Sequence, residues 1–414
     1  MVCGGRRGND RREQVITDDG IDMLNAPSVY VEGYARARAV DPDAADNYIR
    51  HTTIGDPVLD PVMEELSELP PSDMHRFIRA GVEQNDDAVL RQAPQVLRDF
   101  FDTMEVPEWV DFEAFKPGQR AFFRNMSNML IAYSIGSAVE GFSTLVSKPF
   151  SISGRVTGLG PGAERRLRQN NRHMVETYYP GGLLRDGDGW KVSMRIRFVH
   201  ARMRKFMAES DAWDHASWGT PLSAAHLGGI ALYTFSIRQF EHAASMGSVI
   251  SREERESIVK IWRYVGHILG VPEAILFTSE AEARQIYEIG HLCEPPPDED
   301  AIGVANAVFK AIPAMAKVQS DTERKSFQMY AYRLSRALIG NELADRYGYP
   351  NTLRIRFLVL LYFRTKARIT RLLTGNRLIQ MQDFTQIFDA TQYDKDGISY
   401  RMPDHVRAEK QSPW

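Results

Sequence analysis

The chain has 414 residues, of which 43% are hydrophobic and 25% are charged, a mixture typical of soluble globular proteins. Its formal net charge of -3 lacks the strong basic excess that nucleic-acid-binding proteins usually carry, so we expect no nucleic-acid partner. The two cysteines, Cys3 and Cys293, are too few for a thiolate metal site and predict no structural disulfide, which fits a reducing compartment.

The start of the chain is polar. Residues 1–45 are rich in Gly, Asp and Arg, and we interpret them as an N-terminal arm. The pair Arg6-Arg7 is followed by polar residues instead of an apolar segment, so the sequence predicts no export signal and a cytoplasmic protein. The most apolar stretch, 129–146, contains Glu140, which favours a buried helix over a transmembrane segment.

Apolar residues at helical spacing dominate the chain after the arm, and sustained period-2 alternation is missing. The predicted helices cover about 59–67, 72–82, 86–104, 117–146, 163–179, 190–209, 222–246, 252–269, 279–293, 299–317, 320–340 and 352–373. We therefore expect an all-α fold with a single large helical domain over residues 46–375 and a C-terminal extension over 376–414.

Three short motifs do not meet the requirements of the sites that they resemble. The glycine-rich segment 158–162 lacks the spacing of a dinucleotide-binding loop. The segment 394–397 resembles the middle of a calcium loop whose end positions lack the required carboxylates. Glu288 and His291 form a single Glu-x-x-His motif, and a di-iron bundle needs two.

The segments 163–179 and 190–209 are predicted to be antiparallel helices joined by a tight, glycine-containing connection. On the second helix, His200 lies in an apolar stripe with Ile196, Val199, Met203, Phe206 and Met207. An imidazole in such a stripe needs a partner for each nitrogen. Spacing alone leaves two interpretations open, a histidine satisfied within the core or a ligand.

The first helix presents a polar face formed by Arg166, Gln169, Asn170 and His173. Asn170 lies ten residues before Pro180, and His200 lies ten residues after Trp190, so both are about 15 Å from the connection. Antiparallel packing would place them at the same level. A flat cofactor between the helices would then have an imidazole on one side and polar groups on the other.

Arginines surround His200 in the sequence, at Arg195, Arg197, Arg202 and Arg204. They form either an ordinary solvated helix face or a set of partners for the carboxylates of a cofactor. The second interpretation rests on the bidentate match between a guanidinium and a carboxylate.

Several short motifs carry a family resemblance by their order and spacing. They are Thr-Ile-Gly-Asp-Pro at 53–57, Pro-Glu-Trp-Val-Asp at 107–111, Ser-Gly-Arg-Val-Thr-Gly at 153–158, Trp-Gly-Thr-Pro-Leu at 218–222, Ile-Trp-Arg-Tyr-Val-Gly at 261–266 and Leu-Gly-Val at 269–271. Over about residues 50–340 the sequence resembles the latex clearing protein (rubber oxygenase) and MpaB-type oxygenase family. The resemblance implies a helical catalytic domain that encloses haem b between antiparallel helices.

The resemblance also implies roles for individual residues. His200 matches the proximal ligand of the haem iron, in an Arg-x-x-His setting supplied by Arg197, and Arg166 matches the arginine of the distal helix. Gln169 and Asn170 stand where the rubber-cleaving members have lysine and threonine. Gln169 cannot supply the amine that caps the iron in those members.

The distal side is therefore expected to be open, filled by water, or served by His173 one turn along the helix. Arg197, Arg202 and Arg204 are the expected partners of the haem propionates. The stretch 148–153 has no carboxylate to match the acidic residue proposed as a base in rubber cleavage, so rubber is not the expected substrate.

The expected function is that of a haem b-dependent oxygenase that uses dioxygen to attack a carbon–carbon double bond of a hydrophobic small molecule. Two alternatives stay open. One is a haem-binding sensor or carrier without turnover, and the other is a non-haem helical binding module in which His200 belongs to the core.

The predicted helix 352–373 combines an apolar run at 357–361 with basic residues. These are Arg354, Arg356, Arg364, Lys366, Arg368 and Arg371. Such a helix could make peripheral contact with a membrane, or it could be a buried helix with one solvated basic face.

Overall fold

The computed structural model describes residues 15–16, 22–153, 162–315, 318, 320–351 and 356–374. A two-residue antiparallel ribbon near the N-terminus pairs β1 (Val15–Ile16) with β2 (Asp22–Met23). The first ten α-helices are α1 (Val31–Arg38), α2 (Pro42–His51), α3 (Leu59–Leu66), α4 (Pro71–Arg79), α5 (Asp87–Leu90), α6 (Gln95–Asp102), α7 (Lys116–Arg124), α8 (Met126–Ala132), α9 (Ala138–Gly141) and α10 (Ser147–Ile152).

The remaining helices are α11 (Gly162–Tyr178), α12 (Asp188–Ala208), α13 (His215–Trp218), α14 (Leu232–Phe235), α15 (Ile237–Ser245), α16 (Arg252–Ile268), α17 (Glu280–Cys293), α18 (Glu299–Met315), α19 (Asp321–Ile339), α20 (Asn341–Arg346) and α21 (Arg356–Thr374). Short 3₁₀ helices cover Ser28–Tyr30, Glu113–Phe115 and Glu273–Ile275. The expectation of an all-α fold is confirmed.

Three long predicted helices are interrupted where the backbone leaves α-helical geometry. The segment 86–104 divides before α6, where Pro94 cannot continue a helix that precedes it. The segment 117–146 breaks at Asn125 and then widens into a π-helix at Tyr133–Ser137. The segment 222–246 begins as a π-helix at Ala225–Ala231 and bends again at Ser236. Mid-helix π-turns are frequent at functional sites.

Local side-chain signals fix several helix starts. Ser251 caps α16 because its Oγ accepts a hydrogen bond from the Glu254 amide at 3.2 Å, and the Glu254 carboxylate accepts one from the Ser251 amide at 2.8 Å. Asp41 caps α2 in the same way by accepting from the Ala44 amide at 3.0 Å. The start of α16 agrees with the predicted helix over 252–269, whereas α2 was not among the predicted helices.

The helical body begins at Ser28, earlier than the predicted boundary at residue 46. Helices α1 and α2 pack on each other and on α17, and the side chains of Tyr30, Tyr34 and Ala45 are fully buried. These side chains are few and widely spaced among polar residues, so the sequence pattern resembles an arm although its apolar positions enter the core.

Two hydrophobic clusters lie on either side of α12. The main core contains the buried Trp262, whose Nε1 donates to the Tyr178 hydroxyl at 2.8 Å, and Tyr178 stacks on Phe122 at 4.1 Å between ring centroids. A smaller cluster is built on Met203, Met207 and Trp213, with Ile152, Val199, Phe206, Trp218 and Leu222 packed against it. Among the described helices, none is both long and apolar enough to cross a membrane.

Candidate functional site

Helices α11 and α12 pack against each other as an antiparallel pair. The Gly182 carbonyl accepts from the Trp190 amide at 2.8 Å and closes the connection, in which Gly181 adopts a positive φ of 77°. Close to this connection, His173 Nε2 and Ser193 Oγ are 2.8 Å apart and join the two helices. The predicted antiparallel pair with a tight, glycine-containing connection is therefore present.

The level of His200 differs from the prediction by about one turn. His200 lies seven residues after Ser193, and in an antiparallel pair it lies level with the residue seven before His173, which is Arg166. Asn170 is instead level with Ile196. The reason is that α11 ends at Tyr178 and α12 begins at Asp188, so the turn is not centred between Pro180 and Trp190 as the sequence suggested.

The polar face of α11 is joined to the π-helix at Tyr133–Ser137. Asn170 Nδ2 donates to the Tyr133 hydroxyl at 3.0 Å, and Ser134 Oγ donates to Asn171 Oδ1 at 3.4 Å. Gln169 is half-buried on the same helix. The sequence did not single out Tyr133, and no motif marks it, because the widening of the helix there depends on packing. The side chain of Arg166 lies outside the described residues.

His173 is enclosed by the main core. Its ring lies 5.9 Å from the Trp262 ring and 6.3 Å from the Phe235 ring, and its side chain is buried. Burial without a charged partner lowers the pKa of His173 to about 4, so the ring is neutral at pH 7. The ring is directed at Ser193, two turns from the level of His200. Service of the distal side by His173, one of the three predicted alternatives, would require the ring to leave this enclosed position.

His200 lies half-buried on α12 between two different environments. On one side are Val199 and Met203, which belong to the smaller apolar cluster. On the other side, at three and four residues away, are Arg197 and Arg204, which face the acidic residues at the start of α3. An apolar wall and a group of buried cations thus flank one imidazole.

Arg197 makes a bidentate ion pair with Asp56, with Nε to Oδ2 at 2.6 Å and Nη2 to Oδ1 at 2.9 Å. Both side chains are buried, and Nη1 also lies 3.4 Å from the Ile268 carbonyl oxygen. Asp56 further accepts from the backbone amides of Val58 and Leu59. The Nε and Nη2 donors of Arg197 are therefore both occupied by Asp56. The predicted role of Arg197 as a propionate partner would have to compete with this pairing.

Arg204 lies seven residues, or about two turns, after Arg197 on α12 and extends this ion-pair group. Its Nε lies 3.3 Å from Asp60 Oδ2, while its buried Nη1 has no hydrogen-bond partner among the described residues. Burial lowers the pKa of Arg204 and raises the pKa of Asp60. Arg202 is half-buried, and burial lowers its pKa as well. The Nη1 group of Arg204 is thus a buried donor that could form a hydrogen bond to an anionic group.

The described part of the chain contains no group of three or more His, Cys, Asp or Glu side chains that could hold a metal ion. Glu288 and His291 both lie in this part, on α17, and neither takes part in such a group. A cofactor that takes a single protein ligand, for which His200 is the candidate, does not need a group of three ligating side chains.

The fold and the paired helices define an all-α protein with a half-buried histidine on the second helix of the pair. The chain belongs to the family described as "ER-bound oxygenase mpaB/B'/Rubber oxygenase, catalytic domain", which matches residues 145–372. This range includes α11 and α12, whereas Asp56 and Tyr133 lie before it.

Two known proteins are similar to this chain. The rubber oxygenase of Streptomyces sp. (strain K30) is 25% identical over 216 residues, which make up 50% of this chain and 51% of that protein. The chain thus matches about half the length of this relative. The structure of latex clearing protein LCP in the closed state has the same fold, with a TM-score of 0.62 and 16% identity over 82% of this chain and 89% of that chain.

Proposed function

We propose that this chain is a haem b-dependent oxygenase that uses dioxygen to attack a carbon–carbon double bond of a hydrophobic small molecule. Membership of the oxygenase family supports the reaction class. The observation that carries the proposal is the setting of His200, a single half-buried imidazole between an apolar cluster and buried arginines.

The residues around His200 fit a haem group in chemical terms. A porphyrin needs one axial imidazole, apolar side chains against its faces and cations for its propionates. His200 would supply the imidazole, and Val199 and Met203 would supply apolar side chains. Arg204 would supply a cation for a propionate, because its Nη1 is a buried donor without a hydrogen-bond partner among the described residues.

Bound haem would supply the binding and activation of dioxygen, and the protein would supply ligation, polarity and exclusion of water. In this proposal His200 ligates through one ring nitrogen, and Arg202 and Arg204 bind the propionates. Arg197 is a positioning residue, because its ion pair with Asp56 fixes the angular setting of α12 against α3.

On the opposite side, Arg166 shares the level of His200, and Gln169 and Asn170 follow within the next turn. Their amide groups would supply neutral hydrogen-bond donors on that side, and an amide has no acidic proton to release. Tyr133 holds the Asn170 amide in a fixed orientation. We propose that these neutral donors replace the lysine-bearing distal side of the rubber-cleaving relatives, and that the substrate differs from rubber accordingly.

The test is an absorption spectrum of protein produced with iron and a haem precursor. The wild type is expected to purify with a Soret band, and His200→Ala is expected to lose it and to recover it when imidazole is added. The matched control His215→Ala changes an exposed histidine on α13 and should keep the band. A colourless wild type would refute the proposal, and a band unchanged in His200→Ala would refute the ligand assignment.

Turnover separates the oxygenase from a haem-binding sensor or carrier. The haem-loaded protein is incubated with long-chain isoprenoid polyenes in ¹⁸O₂, and carbonyl products are followed by mass spectrometry. An oxygenase is expected to incorporate the label into cleaved or oxidised products. A sensor or carrier would retain the haem band and give no labelled product.

A further inference from the structure

Helix α21 (Arg356–Thr374) has two apolar faces, and only one of them is covered. Val359 and Phe363 pack into the main core, and α21 lies against α19. Five other large apolar side chains are exposed, with between 44% and 78% of their surface in contact with solvent. They are Leu358, Leu361, Tyr362, Ile369 and Leu372.

The exposed side chains form one continuous stripe along the helix. From Leu358 they follow at three, four, eleven and fourteen residues, which at about 3.6 residues per turn places all of them within about 100° of the helix circumference. Helix α19 adds the partly exposed Phe327 and Tyr330 to the same helix pair. Large exposed apolar patches on a protein generally mark a surface that contacts another phase or molecule.

Cations flank this stripe on both sides. Lys366 and Arg368 are exposed and lie about 80° to either side of Leu358 around the helix axis. The sequence of α21 contains five Lys and Arg residues and no Asp or Glu. Arg364 donates from Nε to the Ser245 carbonyl oxygen at 2.8 Å and so fastens the helix to α15. The arrangement is an apolar stripe with a basic border on a helix held in place.

We propose that the exposed face of α21 docks on an anionic lipid bilayer. The helix cannot span a membrane, but a helix of this pattern lies in the interfacial plane with its apolar side chains at the boundary between headgroups and acyl chains. Lys366 and Arg368 then reach the lipid phosphates, because long basic side chains extend from an apolar surface toward charge. Two copies of this face would instead bring their cations together with no acidic residue of α21 to offset them.

The experiment is co-sedimentation of the full chain with lipid vesicles, and it does not require haem. Vesicles of phosphatidylcholine with about 30% phosphatidylglycerol are compared with pure phosphatidylcholine vesicles. The protein is expected to sediment with the anionic vesicles, to bind the neutral ones at least about tenfold more weakly, and to dissociate as the salt concentration rises. Equal binding to both kinds of vesicle would contradict the role of the cations.

Matched variants test separately how the apolar stripe and the flanking cations contribute to vesicle binding. Leu361→Glu and Leu372→Glu are expected to abolish binding, whereas Val40→Glu, at an exposed position before α2, should leave it intact. Lys366→Glu should weaken binding to anionic vesicles about tenfold, while Lys260→Glu, on an exposed position of α16, should not. Because all five positions are exposed, each variant is expected to keep the circular dichroism of the wild type.

Two outcomes would overturn the proposal. One is a folded wild type that does not sediment with anionic vesicles, which would mean that the stripe is covered or serves no lipid. The other is a dimer in size-exclusion chromatography that Leu361→Glu dissociates while vesicle binding is absent, which would assign the face to a second copy of the chain.

Discussion

At the scale of single residues, two histidines on facing helices have opposite surroundings. His173 is buried, lies between aromatic rings and has Ser193 as its hydrogen-bond partner. His200 is half-buried and lies beside cations on one side and apolar groups on the other. The same residue type is therefore enclosed by packing on α11 and borders a group of buried arginines on α12.

The buried His173 predicts a pH dependence of stability. Its folded-state pKa is about 4, whereas an unfolded histidine titrates near pH 6.5. Between these values the unfolded chain binds a proton that the folded chain does not, so the stability from the neutral ring is complete above pH 6.5 and is lost as the pH falls toward 4. The full difference is on the order of 3 kcal/mol.

The measurement is the free energy of unfolding in denaturant at several values between pH 7 and pH 4. His173→Gln retains a hydrogen-bonding group for Ser193 but no titrating one, and its stability is expected to fall less steeply than that of the wild type. His215→Gln, at an exposed position, should follow the wild type. Parallel curves for wild type and His173→Gln would show that His173 does not titrate as its burial indicates.

At the scale of elements, α12 is fixed by a loop that comes from elsewhere in the chain. Gly270 follows α16 with φ of 78°, and a Cβ at this position would collide with the Asp56 carboxylate and the Arg197 guanidinium. The ion pair therefore depends on the close approach of a backbone that only glycine allows. In this way α3, α12 and the end of α16 are held together behind His200.

Gly270→Ala and Gly340→Ala separate backbone strain from collision. Gly340 also has a positive φ, 88°, but nothing lies within 4 Å of the position of an added Cβ. Gly340→Ala is expected to destabilise the protein by about 1–3 kcal/mol through backbone strain alone, because its φ of 88° and ψ of 170° are essentially restricted to glycine. Gly270→Ala is expected to cost at least about 2 kcal/mol more, because it also displaces one partner of a buried ion pair.

Thermal and denaturant unfolding of the two variants provide the comparison. In the haem-loaded protein, Gly270→Ala should also weaken haem retention, since it moves α12, while Gly340→Ala should not. Equal destabilisation by the two substitutions would mean that the ion pair adapts to the added methyl group and does not fix α12.

At the scale of the whole molecule, the segment before residue 46 completes the core. The Tyr30 hydroxyl lies 3.0 Å from His226 Nε2, and the same ring nitrogen lies 3.0 Å from Glu294 Oε1. Glu294 also accepts hydrogen bonds from Tyr48 and from the Leu145 amide, and its favourable partners hold its pKa below the usual range despite burial. This buried group joins the N-terminal helices to the π-helix at Ala225–Ala231 and to α17.

Two truncated chains test this part of the fold. A chain that starts at residue 24 retains Tyr30 and Tyr34 and is expected to unfold cooperatively like the full chain. A chain that starts at residue 46 loses both fully buried tyrosines and leaves part of α17 uncovered. Burial of one large side chain contributes roughly 2 kcal/mol, so the second chain is expected to lose cooperative unfolding or to aggregate.

Circular dichroism during thermal unfolding distinguishes the two results. If the chain that starts at residue 46 unfolds at the same temperature as the full chain, α1 is an appendage and the boundary predicted from the sequence is correct. Vesicle binding through the exposed apolar stripe of α21 should be unchanged in the longer of the two chains, because that helix packs on α19 and α15.

The sequence by itself determined what depends on residue type and local spacing. The start of the helix at residue 252, the connection around Gly181 and Gly182, and the antiparallel pair of α11 and α12 were predicted, because these signals act within a few residues. The motifs around His200 also indicated the family before the fold was known.

Only the tertiary structure decided which partner each charged group has. Arg197 meets Asp56 across 141 residues of sequence, Asn170 meets Tyr133 across 37, and a shift of one turn brings Arg166 instead of Asn170 level with His200. No local pattern encodes these pairings, because burial and interhelical register depend on side-chain packing contributed by many elements. The sequence therefore predicted the helices and the candidate ligand, and the packing of α3, α11 and α12 decided the surroundings of that ligand.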